Sequence, residues 1–332
     1  MDSKPFWMKA LADEYPAFAE RCLAEISIPG SHDSASHNIH AASPLAPDSL
    51  DWVRSLAAVA GQSVVQSYYA PWSKCQNYGI FTQLLNGIRY LDLRVCFVNN
   101  ELWCCHAQIS VAVSEVLAEI KQFITEVGVD EVLLLDFNHF YDMDRDSHAR
   151  LCHMIQSAFG DKICLPSERT TAVTLSDIWN TQQRIIVLYN NPVEVASYPW
   201  LWYHRDLVSS PWHNTPDTDV LLQRMSDQWQ RWVVRPSFDK FTITQTQCSP
   251  NSTLVTSNFF KLCASVTVKC VEDMAKVTQP PVCEWLANRR KLAPPGSKWT
   301  GVNIAIADFV DVFDGKWIDA VISLNLPEAD TK

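Results

Sequence analysis

A chain of 332 residues, 47% hydrophobic and 19% charged, is long enough for one α/β barrel and apolar enough to fill its core. The formal net charge of −10 excludes the basic excess of a nucleic-acid binder and any global pull toward an anionic membrane. The 11 cysteines contain no CxxC pair of the zinc-site kind, so they are expected to be reduced, buried thiols in a soluble, cytoplasmic protein.

The opening residues, "MDSKPFWMKALADEYPAF", carry acids and lack the apolar core of a secretory signal. No stretch reaches the roughly 18 consecutive apolar residues of a membrane span. The first strand-like run, "AEISIPG", is expected to end at Ile28, with Pro29-Gly30 stopping it. "GIRYLDLRV" (87–95) and "ELWCCH", ending at His106, read as the next two strands. In "SEVLAEIKQFITEV", Val116, Leu117, Ile120, Phe123, Ile124 and Val127 recur at helical spacing. "EVLLLDFN" is a near-continuous apolar run, as in a strand covered on both faces. "RDSHARLCHMIQSAF" reads as a helix and "RIIVLYNN" (184–191) as another buried strand. The aromatic stretch "SYPWLWYHRDLVSSPW" is expected to pack against the barrel wall. "TDVLLQRMSDQWQRWVV" is helical and "KFTITQTQ" alternates like a strand. "NFFKLCASVTVKCVEDMAKV" and "PVCEWLANRRKL" read as two helices, "VNIAIADF" as the last strand and "KWIDAVISLN" as the last helix.

Strands that alternate with helices predict a parallel sheet, and seven or eight of them predict closure into a TIM-type β/α barrel. Polar groups stand where the apolar runs end: His32-Asp33, Arg94, His106, Asn138, Asn190, Gln245 and Asp308. In a parallel barrel these ends share one face, where active sites are built. Two histidines, an arginine and two aspartates gathered there suit acid–base chemistry on a phosphate. One histidine accepts a proton while the other donates one, and an aspartate can orient each ring. The arginine offers a planar fork to a phosphate gaining charge. Singly, each residue has a plainer reading: a solvated turn at His32-Asp33, an Asp92–Arg94 ion pair, a core His106, a strand-end cap at Asp308. His37 and His40 are expected to be solvated loop residues.

Together, "ISIPGSHDSAS", "NGIRYLDLRV", "EVLLLDFNHF" and "NIAIADFVD" resemble the X domain of phosphatidylinositol-specific phospholipases C, and most of all the stand-alone X-domain-containing proteins of animals. The likeness runs from about residue 22 to 326, within a single domain of residues 1–332. It implies a distorted, incompletely closed TIM barrel. It also implies a phosphoric diester hydrolase that splits inositol phospholipids, met at a membrane interface, into diacylglycerol and a cyclic inositol phosphate. By the same likeness His32 is the general base, Asp308 its orienting partner and His106 the general acid. Asp33 assists the acid, and Arg94 faces the phosphate. Calcium-dependent members place an Asn after the first His and acids where Arg94 and Asn138 stand. Asp33 and Arg94 here imply the metal-independent form, with no calcium and no other cofactor.

There are departures. The second His of the family precedes a Gly, whereas His106 precedes Ala107. Neither Asn138 nor His139 supplies the lysine of the bacterial enzymes. Asn138, Trp212, Asn214 and Gln245 are the candidates for substrate binding. The expected place is the cytoplasm, with peripheral membrane contact; the oligomeric state stays open. Two other readings stand beside this one: an inositol-phospholipid-binding barrel without turnover, and a metal-dependent glycerophosphodiesterase.

Overall fold

The computed structural model describes residues 4–166, 170–234, 236–259, 268–292 and 299–327. Among the described residues ten strands form one sheet: β1 (Ile28–Ser31), β2 (Tyr90–Val98), β3 (Glu101–His106), β4 (Gln108–Ala112), β5 (Leu133–Tyr141), β6 (Ile185–Tyr189), β7 (Trp202–Tyr203), β8 (Val208–Ser209), β9 (Phe241–Gln245) and β10 (Ile304–Ala307). Eight of them pair in parallel in the order β7-β6-β5-β2-β1-β10-β9-β8. This is chain order around a TIM-type barrel, left open between β7 and β8.

The opening has a covalent cause. Parallel neighbours need a crossover of about a dozen residues. Only the four residues His204–Leu207 separate β7 from β8, so the two cannot lie side by side. The barrel is therefore distorted and incompletely closed, as expected.

The buried strands are the apolar runs. All five residues of β6, and Leu133, Leu134, Leu135 and Phe137 of β5, are buried, because helices cover one face and the barrel interior the other. The helix Val113–Glu126 buries Val116, Leu117, Ile120, Phe123 and Ile124, each contributing about 1.5–3 kcal/mol. The helix Arg145–Phe159 starts at a reciprocal cap: Ser147 N donates to Asp144 Oδ1 at 2.9 Å and Asp144 N to Ser147 Oγ at 2.8 Å. At the amino end of the barrel Arg89 Nε donates to Glu131 at 2.8 Å, and Glu131 also accepts from Met8 N and Lys9 N. The N-terminal helix Trp7–Glu14 thus closes the end opposite the site.

Four expectations change. Pro29-Gly30 does not end the first strand; β1 runs through both to Ser31. Gly30 is required there, because a Cβ would lie 2.8 Å from Tyr90 Cδ1. "ELWCCH" is a strand, but antiparallel to β2 and outside the barrel. Its hairpin partner β4 was not foreseen. The two late helices are one element, Val271–Leu292, continuous through Pro280 and Pro281. The carbonyls these prolines leave without N–H partners belong to Lys276 and Val277, both exposed residues. Of the predicted helix 258–277, residues 260–267 lie outside the described residues and 268–270 are non-helical. Trp200 and Trp202 pack against the wall as expected, with Trp202 Nε1 donating to Cys164 O at 2.8 Å. His37 is half-buried rather than solvated, whereas His40 is exposed.

Candidate active site

β1 and β10 bring together residues 276 positions apart. Ser31 is the register partner of Ala307, so the next residue on each strand meets its counterpart above the rim. There His32 Nδ1 lies 2.7 Å from Asp308 Oδ1. A carboxylate can only accept, so Nδ1 carries the proton and Nε2 faces the cleft. Gln76 Nε2 donates to the backbone of His32 and of Ala307 at 2.8 and 2.9 Å. Gln279, from the long helix, does the same for the carbonyls of Asp308 and Phe309. Both ends of the His32–Asp308 pair are fastened by side chains from elsewhere in the fold.

β2 supplies the cation. Leu91 is opposite Ser31, so Asp92 and Arg94 point inward at and above the level of His32. Arg94 Nη2 lies 3.2 Å from His32 Nε2, and Arg94 Nε lies 2.6 Å from Asp33 Oδ1. The latter contact is an ion pair between two buried atoms, without an aligned hydrogen bond.

His106 reaches the site by a route that the parallel-barrel rule does not describe. β2 extends past the rim and turns at Asn99-Asn100, both left-handed with φ of 53° and 61°, as a two-residue hairpin requires. β3 then returns antiparallel and delivers His106 beside the mouth. Its Nδ1 donates to Ser73 O at 2.7 Å, which turns Nε2 toward Asp33 Oδ2 at 3.4 Å. Ala107 adopts the left-handed turn expected of a glycine, at φ 57°. Asp48 accepts its N–H at 2.7 Å and Ser49 Oγ donates to its carbonyl. The missing glycine therefore does not displace His106.

Asp33 is the hub. It is buried, left-handed at φ 43°, and touches Arg94, His106 and His32 Nε2, the last at 3.3 Å. Burial works against its charge, but Arg94, His106 and His32 outweigh burial and hold its carboxyl down at about 2. For His32, burial disfavours the imidazolium, yet Asp33, Asp308 and Asp92 raise its pKa to about 9. Arg94 Nη2 pulls the other way, since it can donate to Nε2 only when the ring is neutral.

A second network, which sequence reasoning missed, lies alongside. Buried Asp136 of β5 is 2.7 Å from His204 Nδ1, accepts from Asn138 Nδ2 at 3.1 Å, and accepts the Tyr90 hydroxyl. Asn138 Nδ2 also donates to Asp92 Oδ1 at 2.6 Å. Asn138 is a bulge residue: Leu93 pairs with Phe137 and Arg94 with His139, so Asn138 has no register partner. Period-two alternation from Arg94 and Asn138 points to Asp92 and Asp136 on the same faces and could have found both. Nothing local marks His204 or Cys75. Cys75 Sγ lies 3.5 Å from His106 Nδ1 and 3.8 Å from Asp33 Oδ2.

These groups line one cleft of about 630 Å³ at the carboxyl end of the barrel. It takes in His32, Arg94, His106, Asp308, Asn138, Trp212 and Gln245, with Asp33 buried behind. Gln245 donates to Ser210 Oγ at 3.0 Å, and Trp212, 63% exposed at the rim, donates to Ser249 Oγ at 2.8 Å. Asn214 is a correction. It is exposed, in a left-handed turn at φ 44°, and does not line the cleft. A groove of about 670 Å³ between the helices Val113–Glu126 and Arg145–Phe159 carries none of these groups.

The residues do not fit calcium. Three trios drawn from His32, Asp33, Cys75, Asp92, His106 and Asp308 place ligand atoms within 4.8 Å of one another. They mix nitrogen and sulfur with carboxylates, whereas calcium takes roughly six to eight oxygens. Arg94 already sets a positive charge against Asp33 and His32.

Fold and site together define an α/β barrel with a histidine–arginine–histidine cluster, joined by buried carboxylates, at the carboxyl end of its strands. A family model described as phosphatidylinositol-specific phospholipase C, X domain, matches residues 61–191. Human PI-PLC X domain-containing protein 3 is 32% identical over 323 residues, covering 96% of this chain and 92% of that protein. The variant-surface-glycoprotein phospholipase C of Trypanosoma brucei brucei is 27% identical over 232 residues, 68% of this chain and 63% of its own. The phosphatidylinositol-specific phospholipase C of Listeria monocytogenes shares the fold with a TM-score of 0.64 at 18% identity, over 98% of this chain and 99% of that one. The chain belongs to the PI-PLC X domain family.

Proposed function

We propose that the protein is a metal-independent phosphodiesterase of the phosphatidylinositol phospholipase C type. The observation that carries the reading is Asp33 in contact with both histidines and Arg94 at once, so that base, acid and cation surround one point. An inositol hydroxyl beside the phosphate gives its proton to His32 Nε2 and attacks phosphorus. The bond to the diacylglycerol oxygen breaks, and that oxygen takes a proton from His106 Nε2. The products are diacylglycerol and a cyclic inositol phosphate. Arg94 stabilises the charge that builds on the phosphoryl oxygens. Asp308 holds the His32 tautomer, and Asp33 Oδ2 faces His106 Nε2 at 3.4 Å.

The substrate partner in this reading is an inositol phospholipid in a membrane surface, approached from the cytoplasm. Trp212 at the rim suits an interface. Among the described residues no helix is long and apolar enough to cross a membrane, and the ten described cysteines are free.

The test is release of water-soluble inositol phosphate from phosphatidylinositol vesicles, with and without chelator. The reading expects equal release in both and none from His32→Ala. Absence of release in every condition would support a binding barrel instead, and loss on chelation would refute metal independence.

A further inference from the structure

Cys75 lines the cleft, yet the acid–base scheme gives it nothing to do. Its Sγ is 3.5 Å from His106 Nδ1 and 3.8 Å from Asp33 Oδ2, and the same Oδ2 is 3.4 Å from His106 Nε2. A thiol, an imidazole and a carboxylate thus share one spot, with ligand atoms that all lie within 4.8 Å of one another. The separations suit a metal ion. Two ligand atoms on a tetrahedral zinc, bonded at about 2.0–2.3 Å, stand about 3.3–3.6 Å apart, whereas an N–H···O hydrogen bond spans about 2.7–3.2 Å. His106 Nδ1 donates to Ser73 O at 2.7 Å, an outer contact of the kind that orients a ligating ring and leaves Nε2 for the metal. Arg94 holds the other oxygen of Asp33, Oδ1, so Oδ2 stays available. Around the spot Asp33, Asp92 and Asp308 outnumber Arg94 and a charged His32, so with His106 neutral the cluster is net negative. The two other clusters of this kind among the described residues fit less well. In His32–Cys75–Asp308 the nitrogen and oxygen already close a 2.7 Å hydrogen bond. His32–Asp33–Asp92 has no sulfur, and Arg94 Nη2 stands 3.2 Å from His32 Nε2.

We propose that Cys75, His106 and Asp33 form an inhibitory site for a borderline-soft divalent cation, zinc, with the fourth position left to water from the cleft. Cys75 binds as the thiolate and its proton passes to solvent. Burial keeps the free thiol protonated, and coordination deprotonates it outright. The ion takes the Nε2 lone pair of His106, which then carries no proton for a leaving group. Calcium, which takes oxygens, draws nothing from the sulfur. Binding stands on the geometry alone; inhibition rests on the reading of His106 as the acid.

The full chain, stripped of metal, is titrated with zinc chloride and, as a spectroscopic probe, with cobalt(II) chloride. The wild type should show a thiolate-to-cobalt charge-transfer band, and zinc should displace the cobalt and raise the melting temperature. Cys75→Ala and Cys75→Ser should lose the band and bind zinc at least about tenfold more weakly, while Cys96→Ala, at another buried thiol, should behave as wild type. Zinc should stop release of inositol phosphate from phosphatidylinositol vesicles by the wild type and leave each Cys75 variant near its own zinc-free rate. A wild type without the thiolate band overturns the site, as do Cys75 variants that bind zinc as tightly as wild type. If zinc binds as stated but the metal-free protein releases nothing, the site stands and the phosphodiesterase reading falls. If the metal-free protein turns over and saturating zinc does not slow it, the inhibitory role falls and the phosphodiesterase reading stands.

Discussion

His32 Nδ1 and Asp308 Oδ1 meet at 2.7 Å across the junction of the first and last strands, so the chain completes its site only when the barrel is wound. This pair orients His32, and with Asp33 and Asp92 it keeps the ring's affinity for a proton high. Asp308→Asn should therefore retain the fold, bring the His32 titration down from about 9 toward its ordinary value, and cut kcat by about 10²–10⁴-fold. Imidazole NMR titration alongside vesicle kinetics checks both parts. An unchanged His32 titration would remove Asp308 from this role.

Stability should depend on pH through the same groups. The folded pKa of His32, about 9, is above the ordinary 6.5, so its contribution is fully present below 6.5 and is lost as pH rises through about 9. Asp33 has the opposite sign. Its folded value of about 2 is below 3.8, so its contribution is present above 3.8 and is lost as pH falls through about 2. Denaturant unfolding of wild type and His32→Gln should differ more at about pH 6 than at about pH 9.5. A gap that widens with pH would contradict the arrangement.

Ala107 holds a left-handed conformation that costs an L-residue about 1 kcal/mol. Ala107→Gly should raise unfolding free energy by about 0.5–1 kcal/mol and leave the site geometry intact. Equilibrium unfolding measures this, and a destabilised variant would show that the turn is not strained.

Arg94 works through a fork placed between Asp33 and His32. Lysine keeps the charge but not the fork, so Arg94→Lys should lower kcat by about 10²-fold, and added calcium should not restore it. Rescue by calcium would mean that the site can hold the ion after all.

Much of this was legible in the chain. The apolar runs marked six of the eight barrel strands, because burial on both faces leaves a local signature in β5, β6 and β10. His32, Arg94 and Asp308 follow from those runs directly. His106 was found for an incomplete reason: its strand is antiparallel, and a hairpin beyond the rim, not the barrel rule, brings it in. Asn214 failed because resemblance of a short loop does not say which way a turn points. His204 and Cys75 carry no local sign, since a one-turn helix and an irregular segment have no period to read. The open seam was hidden in β7 and β8, two residues each, too short to announce themselves.

The sequence by itself determined which residues could titrate and that many stand at the ends of buried strands, because periodicity and apolar runs are local properties. Only the tertiary structure decided which of them touch, and so their protonation. Asp33 becomes a hub, His32 a ring held toward its charged form and Asp136 the partner of His204 through neighbours far away in the chain, and electrostatic interaction depends on distance in space, not along the chain.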